Sequence, residues 1–289
     1  MNFINDIIDG LRSGSIYALI ALAFSLGANI CGIINFVNGE IFMISIYIIA
    51  FCYGLKIPLI LSVIISMIIC ALFNVTIEKY IYRPFYKHPK ITGLIVSIGM
   101  AFLIQNIFVL FFSSDPINIG NTISGQFKFG ALEIEYTVLI SILIAFSLMI
   151  ATYGILKYTK IGKIIRAVCE NYESTTLMGI DADKIISLVF AICAVLLVCS
   201  GCLFYLSFPI ANPYIGTMIG LRALAASIIG GLGLIQGSIL TCVSGAVISG
   251  FLIGIIETVV KSYISVQLSD VVIFAFLAIF LLVNHKKYK

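Results

Sequence analysis

The sequence predicts an all-α membrane protein: a polytopic helix bundle of about eight to nine transmembrane segments, with broken or re-entrant helices. Three observations carry that expectation. Of 289 residues, 61% are hydrophobic and 10% charged, where soluble chains carry roughly 45–50% apolar and about 25% charged residues. Mean hydropathy is +1.17. The apolar residues also gather into runs near the ~20 residues that cross a bilayer as a helix. The whole chain, 1–289, reads as a single transmembrane domain.

The expected spans follow in order. Residues 13–33 form the first and 40–55 a shorter second; Lys56 and Pro58 then interrupt the chain before a third at 57–77. A fourth covers 91–112, a fifth 136–156 and a sixth 185–206. The sixth leads into an uncharged loop holding Pro209, Asn212, Pro213 and Tyr214. Two glycine-interrupted stretches, 216–232 and 236–257, precede a last span at 270–284.

Charge sets the expected orientation. Twelve of the 17 Lys and Arg residues fall in 78–90, 157–184 and the C-terminal tail. Cations concentrate in loops that stay cytoplasmic, which puts these three regions inside. Segment 113–135 carries Asp115, Glu133 and Glu135 against Lys128 alone, and falls outside. Counting back places the N-terminus outside as well. Basic runs that only punctuate apolar spans predict no nucleic-acid partner.

Two places break the pattern. Residues 34–40, Ile-Asn-Phe-Val-Asn-Gly-Glu, put Asn35, Asn38, Gly39 and Glu40 between two apolar runs. Residues 230–237 hold Gly230, Gly231, Gly233 and Gly237, too many for a stable helix interior. The second lacks the Gly-Lys-Ser/Thr ending of a phosphate loop and reads as a turn. Unpaired backbone at membrane depth is tolerated only where it is buried in protein or lines water, so both breaks are candidate working parts.

Ionisable groups inside spans cost about 2.5–3.5 kcal/mol at a helix centre. Glu257 has Lys261 one turn on and suits an interfacial pair. Glu40 can snorkel or serve the N-terminus of its span. Arg222 suits either an outer-interface anchor or the translocation path. Gln105 and Asn106 suit either a bond across helices or a water-filled cavity. Seven of eight cysteines lie in apolar runs, and Cys199-x-x-Cys202 reads as small-residue packing rather than a redox or metal site. His88 and His285 cannot form a ligand cluster, and Asp181-Ala182-Asp183 reads as charge at a helix start. No catalytic residue, metal or cofactor is expected. An ion-coupled secondary transporter would want an acid deep in a span, and only Glu257 comes near.

Segment 170–178 can make two helical turns, with Gly179 as the cap. Such a helix at a membrane surface could dock into a partner's groove or remain a solvated loop.

Taken together, IINFVNGE at 33–40, EKYIYRPF at 78–85, KIGKIIRAVCENYESTTLMGID at 160–181, NPYIG at 212–216 and RALAASIIGGLG at 222–233 resemble the LivH-type permease subunits of bacterial branched-chain amino acid ABC importers. The match is collinear over nearly the whole chain. It implies a translocation subunit in the plasma membrane, working by alternating access. It implies ABC ATPase subunits as partners, docking on Glu170, Glu173, Ser174, Thr175 and Gly179. It implies a second permease subunit, identical or related, with Gly250-x-x-x-Gly254 as a possible contact. An extracytoplasmic amino-acid-binding protein would deliver substrate to outer loops that include Asn212, Pro213 and Tyr214. The path candidates are then Asn35, Asn38, Glu40, Gln105, Asn106 and Arg222. The sequence departs from the family in carrying Asn38 where histidine is usual, and Ser174-Thr175 where the docking loop usually has Ala-Ala.

Overall fold

The structure is a computed structural model describing residues 3–86, 89–118, 126–129, 132–208, 210–232 and 238–284. Its helices are α1 (Phe3–Cys31), α2 (Val37–Gly54), α3 (Leu59–Ile77), α4 (Lys90–Phe112), α5 (Tyr136–Tyr158), α6 (Lys160–Glu170), α7 (Tyr172–Leu177), α8 (Ala182–Ser207), α9 (Ile215–Ser227), α10 (Ile239–Tyr263) and α11 (Ser269–Asn284). Among the described residues seven are long and apolar enough to cross a membrane: α1, α2, α3 with its extension to Phe85, α4, α5, α8 and α10. α9, extended to Gly231, and α11 are apolar but shorter. The chain is a multi-pass membrane protein.

α1 and α8 form the buried centre, and α2 and α10 pack against them. α3, α4 and α5 turn large apolar side chains outward, among them Ile60, Leu110 and Leu143. In water such a surface would drive association; in a bilayer it is the lipid face.

α1 begins ten residues earlier than the charge pattern suggested. Its first turns carry Asp6, Asp9 and Arg12, and each charge finds a partner. Ser262 donates to Asp6 (2.9 Å), while Arg12 pairs with Asp9 (3.1 Å) and with Glu135 (3.2 Å). Paired charges do not end a helix.

The small-residue pair on α10 also needs a correction. Gly250 lies on Ala18, and Gly254 on Gly10 and Gly14, so close that a Cβ on either would overlap the α1 backbone. This face is spent on the α1–α10 seam inside one chain and is not free for a second permease subunit.

Segment 113–135 is not bare loop. β1 (Ile117–Asn118) pairs antiparallel with β4 (Ile210–Ala211), and β2 (Gln126–Phe129) forms a hairpin with β3 (Leu132–Glu135). At the other end, the lysine-rich stretch after α5 is helical. Thr159 caps α6 by accepting from the Gly162 amide (3.0 Å). Gly162, Ile165 and Val168 face the bundle while Lys160 and Lys163 face out. The alternation of charge with isoleucine had read as loop, but its period is helical.

α3 does not stop at Ile77. It continues through a π turn, Glu78–Tyr82, and a 3-10 turn, Arg83–Phe85, that contains Pro84. Such turns inside a helix often mark functional sites.

Candidate functional site: two helix starts inside the bundle

The break at 32–36 is built by asparagine. Asn35 Oδ1 accepts from the Val37 amide (3.0 Å) and from the Tyr82 hydroxyl (2.7 Å), and Asn35 Nδ2 donates to Asn38 Oδ1 (3.0 Å). The Phe36 amide donates to Ser97 on α4 (2.6 Å). These bonds satisfy donors that a helix start leaves open, so α2 can begin below the surface of the bundle. Ser97 lies seven residues along α4, or about 10 Å at 1.5 Å per residue.

α9 does the same from the opposite end. Asn212 makes an Asx turn, accepting from the Tyr214 amide (2.9 Å), with Pro213 buried beside it. No side chain caps the first turn of α9. Its Thr217 meets Gln105, seven residues from the far end of α4, again about 10 Å in.

The two starts cross at glycine. A Cβ on Gly39 would sit 2.5 Å from the Gly216 carbonyl oxygen, and one on Gly216 2.6 Å from that of Gly39. Glu40 is the next residue and is 1% exposed, so it does not snorkel. Gln105 Nε2 donates to Thr217 Oγ1 (2.9 Å), and Thr217 donates its own proton to Glu40 Oε1 (2.9 Å). Glu40 Oε2 and Asn38 Nδ2 are buried without a hydrogen-bond partner. Glu40 lines a cavity of about 170 Å³ whose other walls are largely apolar, with Phe24, Phe36, Ile98 and Phe102 among them.

The remaining path candidates lie elsewhere. Asn106 donates to the Phe102 carbonyl of its own helix (2.7 Å) on the exposed side of α4. Arg222 binds Asp270 (2.6 Å), Glu257 (2.6 Å) and the Tyr17 hydroxyl (3.2 Å), tying α9 to α11, α10 and α1. Lys261 also pairs with Glu257. Gly230 packs on the backbone of Gly245 and Ala246, and Gly231 has φ 112°. Gly233 and Gly237, with Pro209, His88 and His285, lie outside the described residues.

At the basic end, segment 170–179 splits. Glu170 closes α6, and Asn171 starts α7 by accepting from the Ser174 amide (2.9 Å). Gly179 follows α7 with φ +81°, the left-handed cap that favours glycine. Thr175 turns inward and is 1% exposed, whereas Leu177 is 88% and Met178 68% exposed. These two were not singled out from the sequence, because an apolar residue in a short polar segment has no periodicity to reveal its face. Burial pushes the nearby Cys169 thiol up to about 12. The Lys184 side chain, 2.9 Å away, holds the Asp181 carboxyl below the usual carboxylate range.

α7 is joined to the bundle by a polar cluster that sequence reasoning quoted as a motif but gave no role. Tyr172 donates to Asp183 (2.9 Å), and Arg83 lies 3.7 Å from the same carboxylate. Arg83 grips Glu78 with two bonds (3.2 and 3.1 Å) and donates to Ser187 (2.8 Å). Glu78 and Arg83 bracket the π turn that carries Tyr82, the partner of Asn35. One bonded route therefore runs from α7 to the start of α2.

The family described as branched-chain amino acid transport system, permease component, matches residues 7–281. The chain belongs to this family. It is 32% identical to the high-affinity branched-chain amino acid transport system permease protein LivH of Salmonella typhimurium, over 97% of this chain and 93% of that one. BraD of Pseudomonas aeruginosa, with the same description, is 30% identical over 97% and 94%. The fold resembles PsaBC from Streptococcus pneumoniae, with a TM-score of 0.58 at 13% identity, covering 97% of this chain and 91% of that one. For this permease-family chain, no group of three or more His, Cys, Asp or Glu able to hold a metal occurs among the described residues.

Proposed function

We propose that the chain is the translocation subunit of an ATP-driven importer of branched-chain amino acids. In this reading it sits in the bacterial plasma membrane with the basic end and C-terminus in the cytoplasm and the N-terminus outside. The observation that carries the coupling is α7, a short capped helix at the basic end with Leu177 and Met178 standing bare in a polar segment. Exposed apolar residues on a capped helix suit a partner's groove, and the partners here are ATPase subunits. The substrate class is carried by the relatives, whose names specify branched-chain amino acids.

The mechanism is alternating access between the two ends. Movement of α7 by the ATPase subunits is passed through Tyr172, Asp183 and Arg83 to the π turn. Tyr82 then pulls on Asn35, and so shifts the start of α2 against α9. That crossing is where Glu40, Thr217 and Gln105 meet. A second permease subunit completes the pathway, and an extracytoplasmic binding protein docks at the end that carries the strand pairs.

Co-expression with its ATPase and permease partners, followed by reconstitution with the binding protein, tests this. Uptake of labelled leucine should require ATP hydrolysis. The isolated chain should bind no nucleotide. Nucleotide binding by the chain alone, or leucine uptake driven by an ion gradient without ATPase subunits, would refute the assignment.

A further inference from the structure

The cavity at the α2–α9 crossing joins an acidic side chain to an uncapped helix start. Its one carboxylate, Glu40, is buried, lines the cavity and leaves Oε2 without a hydrogen bond. No Lys, Arg or His pairs with Glu40 among the described residues. A buried charge is retained at such cost only when something answers it. Two features would answer part of that charge. Glu40 lies in the first turn of α2, where the helix dipole favours negative charge, and Thr217 donates to Oε1. A cationic group at Oε2 would answer the rest.

The first turn of α9 supplies the opposite chemistry. Gly216 and Thr217 line the same cavity, and no side chain caps the helix start they belong to. Open amides at a helix N-terminus bind carboxylates, and half-helix starts near mid-membrane do so in transporters. Gly216 has no side chain to stand in the way. The rest of the wall is aromatic and aliphatic: Phe24, Phe36, Ile98, Phe102 and Leu221. At about 170 Å³ the space falls below the ~300–1,000 Å³ of drug-sized sites and suits one small solute.

We infer that this cavity is a subsite for a small apolar zwitterion. Glu40 Oε2 takes the ammonium group, the amides of Gly216 and Thr217 take the carboxylate, and the phenylalanine and aliphatic wall takes the apolar body. Thr217 and Gln105 are positioning residues that hold Glu40 by its other oxygen. The inference rests on the proposed function and deepens it: the site reads both charges of an amino acid, so it would reject an amine-free analogue.

The test uses the permease–ATPase complex in vesicles without binding protein, so that any discrimination belongs to the membrane chains. In a background stripped of the other thiols, Leu221→Cys reports on the cavity through its rate of alkylation by N-ethylmaleimide. Leucine at millimolar concentration should slow that rate at least threefold. The 2-hydroxy analogue of leucine, which lacks the ammonium, should not. Adding Glu40→Gln should abolish protection by leucine, because the amide keeps its shape and its bond to Thr217 but loses the charge. Equal protection by the hydroxy analogue, protection that survives Glu40→Gln, or no protection by leucine would each overturn the site.

Uptake by the complete importer separates the two readings. Glu40→Gln should lower leucine uptake at least tenfold while membrane level and ATPase association stay as in the wild type. Wild-type uptake by Glu40→Gln would sink the subsite alone. An importer that carries no apolar amino acid at all would sink the functional reading and the subsite with it.

Discussion

Gly39→Ala adds one methyl group at the point where α2 crosses α9. The new Cβ would lie 2.5 Å from the Gly216 carbonyl oxygen and 3.1 Å from its carbon. Even a weak C–H···O contact needs about 3.3 Å, so the helices must part by roughly 0.8 Å. The atom that obstructs is backbone in the first turn of α9 and cannot rotate away. Parting by that amount stretches the Thr217–Glu40 bond from 2.9 Å to about 3.7 Å, beyond hydrogen-bond range. Forcing a methyl group into a filled site costs about 1–3 kcal/mol, and a lost bond to a charged group adds about 1.5–3 kcal/mol. At about 2–4 °C per kcal/mol, the melting temperature of the purified complex should fall by several degrees, and uptake should fall with it. Gly99→Ala is the control. It lies within α4, and its Cβ would meet nothing within 4 Å. The change should be neutral or stabilising by up to about 1 kcal/mol. If Gly39→Ala melted and transported like Gly99→Ala, the crossing would not be the tight contact on which the site depends.

Four further outcomes are expected. Glu173→Lys and Gly179→Val should reach the membrane at wild-type levels yet lose transport and bind ATPase subunits less well; the Gly179 change costs only about 1–2 kcal/mol, enough to misplace a six-residue helix and too little to unfold the bundle. Normal uptake by both would make α7 a mere connection. Arg222→Met should destabilise by about 3 kcal/mol, the low end for breaking a buried pair because Lys261 still answers Glu257. The double change Arg222→Met with Glu257→Met should recover much of it in a thermal-denaturation series, and no recovery would mean that the cluster is not electrostatic in origin. For topology, single cysteines at Ser114 and Ser174, both exposed, should react with an impermeant thiol reagent in intact cells only at 114. Cys169 should stay unlabelled in opened membranes at neutral pH, because burial holds its thiol up to about 12. Labelling at 174 in intact cells would reverse the orientation.

Composition and the order of the motifs were enough for the class of protein, its family and most of its spans, because burial in lipid demands long apolar runs whatever their neighbours are. The break read at 34–40, which the structure places at 32–36, and the glycine run read at 230–237 stood out for the same reason: asparagine and glycine cannot sit unexplained at that depth. Helix boundaries were harder wherever charge was locally paired. Asp6, Asp9 and Arg12 looked like the outside of a span and are its first turns, since their partners Ser262 and Glu135 are far away in sequence. The candidate site divided along the same line. Glu40 and Gln105 stood out as polar residues in apolar runs, but nothing in the chain told Gln105 from its neighbour Asn106. Only packing put one against Thr217 and left the other on the outer face of α4. Arg222 likewise had two readings, and only the fold puts Asp270 and Tyr17 beside it. Which residues stand alone in the membrane is a property of the one-dimensional sequence. What answers each of them is decided by helices brought together across 48 residues for Asp270 and 205 for Tyr17, and so by the fold.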